Sequence, residues 1–334
     1  MNIIYPKTEI LHHGLESEFM TPAKFIELVG RTCYKSEDKI TDTSAEKFVG
    51  NLIKRGHEAM IEHWTLIFQA ATSGIYDLIH QDMNRFTEDT DLDTTGEKPH
   101  LRFTHSGSIN KQRCIISGNI RAWRDFTRLV YKGYGVIPPY LRGMILDNPV
   151  FFPEWQDCVD KHIPAVGLTP ITVKDLQGYK EHSVHHDVTV KFITDRGVSH
   201  EMVRHREASF AQESTRYCDY ASDKHNREIG VIPPVDIREL DGANPVHDVW
   251  AHGCEMSESV YSLMRAKGCT PQTARSALST ALKTEVIMTA NLGEWDHVFG
   301  LRCAPDAHPD IQEVMKWARD EFHALFPDRY YQEA

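Results

Sequence analysis

The first periodic stretch along the chain is helical. Phe25, Leu28, Val29 and Thr32 recur at helical spacing behind Thr21-Pro22, a hydroxyl cap followed by proline at the first helical position. Thr43 and Glu46 form a capping-box pattern for a second helix, with Phe48 and Leu52 on its inner face and Gly56 as its stop. From Trp64 to Gln69 the period changes to two, predicting a strand with Trp64, Leu66 and Phe68 on one face. The same alternation returns at Asp187, where Val188, Val190 and Phe192 alternate with Thr189 and Lys191. Gly197 then turns the chain, and Ser199 caps a short helix running into Arg204-His205-Arg206.

The last third reads as helical. Asn244-Pro245 starts a helix carrying Val249, Met256, Val260, Leu263 and Met264, and Gly268 stops it. Thr270-Pro271 starts the next, and Glu285 to Ala290 suits a strand. Asn291 and Glu294 make another cap pattern, for a helix ending near Arg302. Pro309 opens the final helix, with Ile311, Val314, Met315, Ala318, Phe322 and Leu325 facing inward. Between about Ser73 and Asp187 the pattern is broken by Gly, Pro, Asn and Asp. Short ordered pieces are expected there, a strand near Arg113 to Ser117 and a helix around Ile120 to Tyr131. The whole is mixed α and β.

Composition narrows the function classes. A chain of 334 residues, 41% hydrophobic and 25% charged, can bury a sizeable core. A formal net charge of -11 argues against a broad nucleic-acid-binding face, though not against a local basic pocket. No apolar run approaches membrane-spanning length, and Met1 to Leu11 lacks the regions of a signal peptide. The seven cysteines are scattered and form no CxxC pair, so reduced thiols in a cytoplasmic protein are expected.

Against this acidic background, Arg204 to Tyr217 (RHREASFAQESTRY) places three arginines among Ala208, Ser209, Ala211, Ser214 and Thr215. Guanidinium forks, backbone N–H groups and hydroxyls together suit a phosphate or nucleotide; a solvated basic turn is the plainer alternative. Two histidine clusters raise metal binding. His57 and His63 are six apart, where the HExxH zinc motif needs four. His182, His185 and His186 lead into a strand, which suits a solvated turn better than a metal site. Tyr5, Tyr34 and Tyr330-Tyr331 are expected to be packing residues, and Glu88 to Asp93 a solvated acidic loop.

The register Arg204-His205-Arg206, then seven residues, then Ser214, with Ser209, Arg216 and Tyr217, resembles the signature of flavin-dependent thymidylate synthases. Gly56-His57-Glu58 with Glu62-His63 and the following strand is similar to that family's first flavin-facing element. Thr270 to Arg275 and Asn291 to Arg302 resemble two further elements. The resemblance covers roughly residues 1–70 and 187–330. It implies an α+β fold, a central mostly antiparallel sheet flanked by helices, forming a single catalytic domain over 1–334. Residues 73–187 would be a large inserted subdomain.

The resemblance also implies roles. FAD would be contacted by His63, Thr65, Arg204, His205, Arg206, Gln212, Asn291, Leu292, Gly293 and His297. The substrate dUMP would be held by Glu201, Met202, Val203, Arg204, by Gln212, Glu213, Ser214, Thr215 and Arg216, and by Arg275. Arg302 would be the catalytic residue, stabilising the uracil ring as N3 loses its proton. Methylenetetrahydrofolate would donate the carbon and NADPH would reduce FAD, in a homotetramer with shared sites and no metal. Gln212, Glu201 and His297 depart from the commoner glutamate, glutamine and asparagine, each keeping hydrogen-bonding capacity. Two alternatives stand beside this reading, a nucleotide-binding module that has lost flavin chemistry and a metal-dependent hydrolase. Ser117 to Trp123 (SGNIRAW) would bring Asn119 or Arg121 to a site or subunit interface, or form only a capped turn.

Overall fold

The computed structural model describes residues 1–15, 20–88, 100–106, 113–159, 162, 166–176, 180–238 and 245–330. Its strands are β1 (Asn2–Ile3), β2 (Lys7–His12), β3 (Thr65–Ala70), β4 (Arg102–Ser106), β5 (Arg113–Asn119), β6 (Leu168–Ile171), β7 (Asp187–Asp195), β8 (Ser209–Gln212), β9 (Gly230–Val231) and β10 (Lys283–Asn291). Its helices are α1 (Pro22–Tyr34), α2 (Ala45–Lys54), α3 (Ser73–Glu88), α4 (Ile120–Tyr134), α5 (Pro139–Asp147), α6 (Arg196–Met202), α7 (Val235–Arg238), α8 (Pro245–Ala266), α9 (Pro271–Ala274), α10 (Leu292–Arg302), α11 (Pro309–Leu325) and α12 (Pro327–Tyr330). The chain divides into two compact units: Met1–His12, Val29–Asp38 and Val188–Ala334 form one, and His13–Leu28 with Lys39–Asp187 form the other. Among the described residues there are, instead of one central sheet, two of four strands, ordered β2-β7-β10-β8 and β4-β5-β3-β6, and a small parallel pair β1-β9. The pairs β2/β7 and β8/β10 are antiparallel, as are β3/β5, β3/β6 and β4/β5. No helix among the described residues is long and apolar enough to cross a membrane.

In the first unit, β7 and β10 are buried along most of their length because both faces are covered. Val188, Val190 and Phe192 of β7 are fully buried, as are Val286, Ile287 and Met288 of β10. Helix α11 packs on β2 and α10, and its inward residues are those the periodicity selects, Ile311, Val314, Met315, Ala318 and Phe322. Trp295 of α10 stacks on Phe299 and anchors its ring N–H on the Val188 carbonyl (3.0 Å). Charge is buried here too. Glu285 of β10 pairs with Lys35, with Lys283 (2.6 Å) and with Lys191 (2.7 Å), and Lys283 continues to Glu213 (2.9 Å). Burial alone would raise the Glu285 carboxyl above its ordinary 4.5. Lys283 and Lys35, joined by Lys191, outweigh burial and hold it at about 2.

The second unit is built around β3. Trp64, Leu66 and Phe68 join one apolar cluster with Trp123, Phe126 and Leu141, while Ile67 points the other way, to Ile115 and Leu176. Asn119 ends β5 and caps α4 by accepting from the Ala122 N–H (2.8 Å), so SGNIRAW is a capped strand-to-helix turn. Arg121 pairs with Glu62 (2.5 Å). Arg124 is fully buried, bonded to Glu58 (3.1 Å) and to Glu154.

Several sequence expectations are corrected. Helix α2 starts after Ser44, which binds the Glu27 carboxylate (2.7 Å) instead of capping; Thr43 lies in the preceding turn. Helix α6 is capped by Asp195, whose carboxylate accepts from the Val198 N–H (2.9 Å), so Gly197 and Ser199 lie inside it. His185 and His186 are buried, not solvated: His185 bonds Ser117 (2.7 Å) and Thr104 (2.8 Å), and His186 meets the His13 carbonyl (2.6 Å). Tyr5 is exposed. The stretch 73–187 holds more regular structure than its punctuation suggests, including α3, α5, β4 and β6. Of the stripe read on α8, Val249, Met256, Val260 and Leu263 are exposed, with Val246; the covered face is Trp250, Cys254, Tyr261 and Met264. Asn244 and most of Glu88 to Asp93 lie outside the described residues, as does Tyr331.

Glu285→Gln strips the lysines of their shared carboxylate. We expect a loss of about 3 kcal/mol at pH 7, read as a lower urea midpoint. Because the folded pKa is depressed, this stabilisation is complete above about pH 4.5 and fades as pH falls toward about 2. The difference from wild type should therefore shrink in acid. Equal midpoints at pH 7 would contradict the assignment.

Candidate active site

Helix α6 ends at Met202, and the chain turns through Val203 to Ala208 before β8 begins. The Glu201 carbonyl, one of the unpaired acceptors at this helix end, takes the Arg204 N–H (3.2 Å). It also accepts from Arg302 Nη2 (3.0 Å). Arg302 reaches this point from the last turn of α10, whose start is fixed by Asn291 accepting from the Glu294 N–H (3.0 Å). Arg302 Nη1 donates to Glu201 Oε2 (2.8 Å) and its Nε donates to His205 Nε2 (3.0 Å). Three expected site residues from two distant stretches thus meet at one guanidinium.

The His205 bond fixes a tautomer. Arg302 can only donate, so Nε2 carries no proton and the ring proton sits on Nδ1. Glu294 lies on that side, 3.7 Å from Nδ1. Burial, then the neighbouring Arg302 and His297 charges, push His205 down from 6.5 to about 4, so the imidazole is neutral near pH 7. His297 is exposed, its ring centroid 6.1 Å from that of His205. His205, Glu294 and His297 bring ligand atoms within 4.8 Å of one another, a spacing that could hold a metal ion. The Arg302 charge beside His205 opposes a second cation there.

The segment after β8 is held from beneath. Gln212 Nε2 donates to Ser199 of α6 (2.8 Å) and Thr284 of β10 (3.2 Å). Glu213 is buried, its carboxylate bonded by Tyr220 (3.0 Å) and Lys283 (2.9 Å). The Ser214 N–H donates to the Cys33 carbonyl (3.0 Å). Thr215 Oγ1 accepts from Arg275 Nη1 at 3.4 Å, which brings the arginine after α9 to this loop. Arg216 lies over the Tyr217 ring (5.6 Å), which packs edge-on against Tyr34. Arg204, Arg206, Arg216 and Arg275 are exposed cations. Met202 and Glu213 are buried, so whatever they offer a ligand comes from the backbone; Val203 is exposed. Leu292 is buried, and a Cβ at Gly293 would press on Asn291 Oδ1 at 3.1 Å.

His63 and Thr65 belong to the second unit. His63 is buried at the end of the short 3-10 helix Glu58–His63. The Thr65 hydroxyl donates to Asp187 and accepts from Arg102 (3.2 Å). Sequence reasoning missed Glu294 as a site group, having used it only as a cap, and missed Lys283 and Glu285 beneath the loop. Alternating charges on a short strand read as a solvent face, so no sequence signal marked the last two.

Residues 171–328 match the family model for thymidylate synthase complementing protein, Thy1. A flavin-dependent thymidylate synthase of Pyrococcus furiosus is 31% identical over 162 residues, 48% of this chain and 60% of that relative. One from Geobacter sulfurreducens is 32% identical over 137 residues, 40% of this chain and 56% of the relative. The chain thus spans about 60% of the length of the curated relatives it matches. A solved UMP/dUMP methylase, PolB from Streptomyces cacaoi bound with 5-Br UMP, is 20% identical and superposes with a TM-score of 0.35, covering 46% of this chain and 74% of that one. The His63–Thr65 element lies outside the family match, whereas Arg204 to Tyr217, Arg275 and Arg302 lie within it. Residues 171–328, which carry the Arg302 cluster and the loop after β8, are therefore the part of the chain that is similar to flavin-dependent thymidylate synthases.

Proposed function

We propose that the chain is a flavin-dependent thymidylate synthase. It methylates dUMP to dTMP, with methylenetetrahydrofolate as carbon donor and NADPH reducing FAD. The observation that carries this reading is Arg302, held at three points with a terminal N–H left on each of Nη1 and Nη2. Two such donors suit an ionised ring N3 and its neighbouring carbonyl. A guanidinium fixed before the ring arrives stabilises the charge that develops there, which makes C5 nucleophilic. Arg204 and Arg206 are exposed cations beside the turn and suit the FAD diphosphate; His205, His297, Asn291 and Gly293 suit its ring system. Bound FAD supplies the hydride chemistry. Ser214, Thr215, Arg216 and Arg275 are read as the cradle for the nucleotide phosphate, with Gln212 and Glu213 fixing the loop from below.

We read 73–187 as an insertion within one catalytic domain, and His63 and Thr65 as flavin contacts. A cytoplasmic location is part of the reading, and seven free cysteines fit a reducing compartment. The expected homotetramer with shared sites is supported by α8, whose outer stripe Val246, Val249, Met256, Val260 and Leu263 leaves apolar surface for a second copy to cover.

Dependence of dTMP formation on dUMP, methylenetetrahydrofolate, NADPH and FAD tests the function directly. Arg302→Ala should cut turnover by about 10²–10³ while flavin stays bound; near wild-type turnover would refute the role. Val249→Asp with Leu263→Glu should lower the mass seen by light scattering to that of a smaller assembly, and an unchanged tetramer mass would exclude α8 from the interface. His205 should stay neutral from pH 8 to pH 5 when its ring is followed by NMR. Its folded pKa of about 4 lies below the ordinary 6.5, so the unfolded chain takes the proton first. Stability therefore declines as pH falls from about 6.5 to about 4, and a His205 that titrates near 6.5 contradicts the tautomer assigned above.

A further inference from the structure

Arg302 has a partner whose charge is not needed to position it. Two neutral acceptors already orient the guanidinium: the Glu201 carbonyl on Nη2 (3.0 Å) and His205 Nε2 on Nε (3.0 Å). Two bonds from different nitrogens of a planar group fix its plane. The Glu201 carboxylate then adds a full negative charge 2.8 Å from Nη1. The pair is only partly open to water, with side-chain exposures of 20% for Arg302 and 34% for Glu201, so solvent screens it incompletely. The other ionisable groups around the cluster leave this balance in place. His205 is neutral, Glu294 lies beyond it at 3.7 Å from Nδ1, and His297 and Arg204 face solvent.

We infer that Glu201 is a counter-ion that sets how much negative charge Arg302 can stabilise on a bound uracil ring. It is a tuning and positioning residue, not a direct contact to the nucleotide. The inference rests on the thymidylate synthase reading and deepens it. Arg302 offers the ring its two remaining terminal N–H donors while its net charge is partly cancelled from the side. A neutral ring, which needs only hydrogen bonds, loses little by this. A ring that has lost its N3 proton loses much more, because its stabilisation is Coulombic. Glu201 therefore weakens binding of the ionised ring selectively and raises the pH at which the bound ring gives up its proton.

The sign of this effect separates it from a structural role. Glu201→Gln is isosteric and keeps an oxygen acceptor for Nη1 while removing the charge. If the carboxylate only held Arg302 in place, the variant would loosen the guanidinium and the ring would ionise less readily. If it attenuates the charge, the ring ionises more readily.

The experiment uses the FAD-loaded full chain and 5-fluoro-dUMP, whose fluorine reports N3 ionisation directly by 19F NMR. The bound signal is followed from pH 6 to pH 10 in wild type and in Glu201→Gln. We expect the apparent ring pKa to fall by about one unit in the variant, a factor of about ten in favour of the ionised ring, with affinity at pH 6 changed less than threefold. An unchanged or raised ring pKa would overturn the inference and leave the enzyme assignment standing. No bound signal in wild type would overturn both.

Discussion

The carboxylate of Glu285 is almost sealed from water, and three lysines are what keep it ionised there. Lys35 comes from the segment after α1, Lys191 from β7 and Lys283 from β10, and Lys283 passes the contact on to Glu213. One buried charge thus ties four segments of the first unit together. It also decides where the loop after β8 can lie, because Glu213, anchored below, is followed at once by Ser214, Thr215 and Arg216. An apolar substitute could fill the space but would not demand partners from three segments. Lys35 shows how firm the demand is, since it sits in the left-handed region (φ 48°) at the end of α1, where glycine is the usual choice.

From that base, β10 leads into α10 and the Arg302 cluster. Its last residue, Asn291, caps α10, and eleven residues of helix carry the chain to Arg302. There the guanidinium closes on the C-terminal end of α6, where unpaired carbonyls favour a cation. Gln212 reaches Ser199 of the same helix, so the loop and the arginine share one support. The arrangement explains how an arginine can sit at a helix terminus and still be rigid: three of its five N–H groups are already committed. What remains is one N–H on each of Nη1 and Nη2, beside the Glu201 carboxylate.

Much of this was legible in the sequence, and the reasons are local. Asn119, Thr270 and Asn291 cap helices where a polar side chain precedes an apolar period. Strands β3 and β7 follow their alternation, β10 covers the stretch Glu285 to Ala290 read as a strand, and the residues of the Arg302 cluster were all named except Glu294. The failures share a different cause. Helix α8 carries two stripes of similar spacing, and periodicity cannot say which one is covered; the more apolar stripe, Val249 to Leu263, is the exposed one. Lys283 and Glu285 resemble a solvent-facing pair until their partners are known from tertiary structure. The second sheet was missed because β4 and β6 are short, and only pairing with β5 and β3 gives them strand character.

The central claim is that flavin and nucleotide meet at the Arg302 cluster. An absorption spectrum of the purified protein from about 300 to 550 nm, taken with FAD and then with added dUMP, tests it most directly. The account predicts flavin bands near about 370 and 450 nm that survive desalting and shift when dUMP is added. A colourless protein after desalting, or flavin bands indifferent to dUMP, would contradict it.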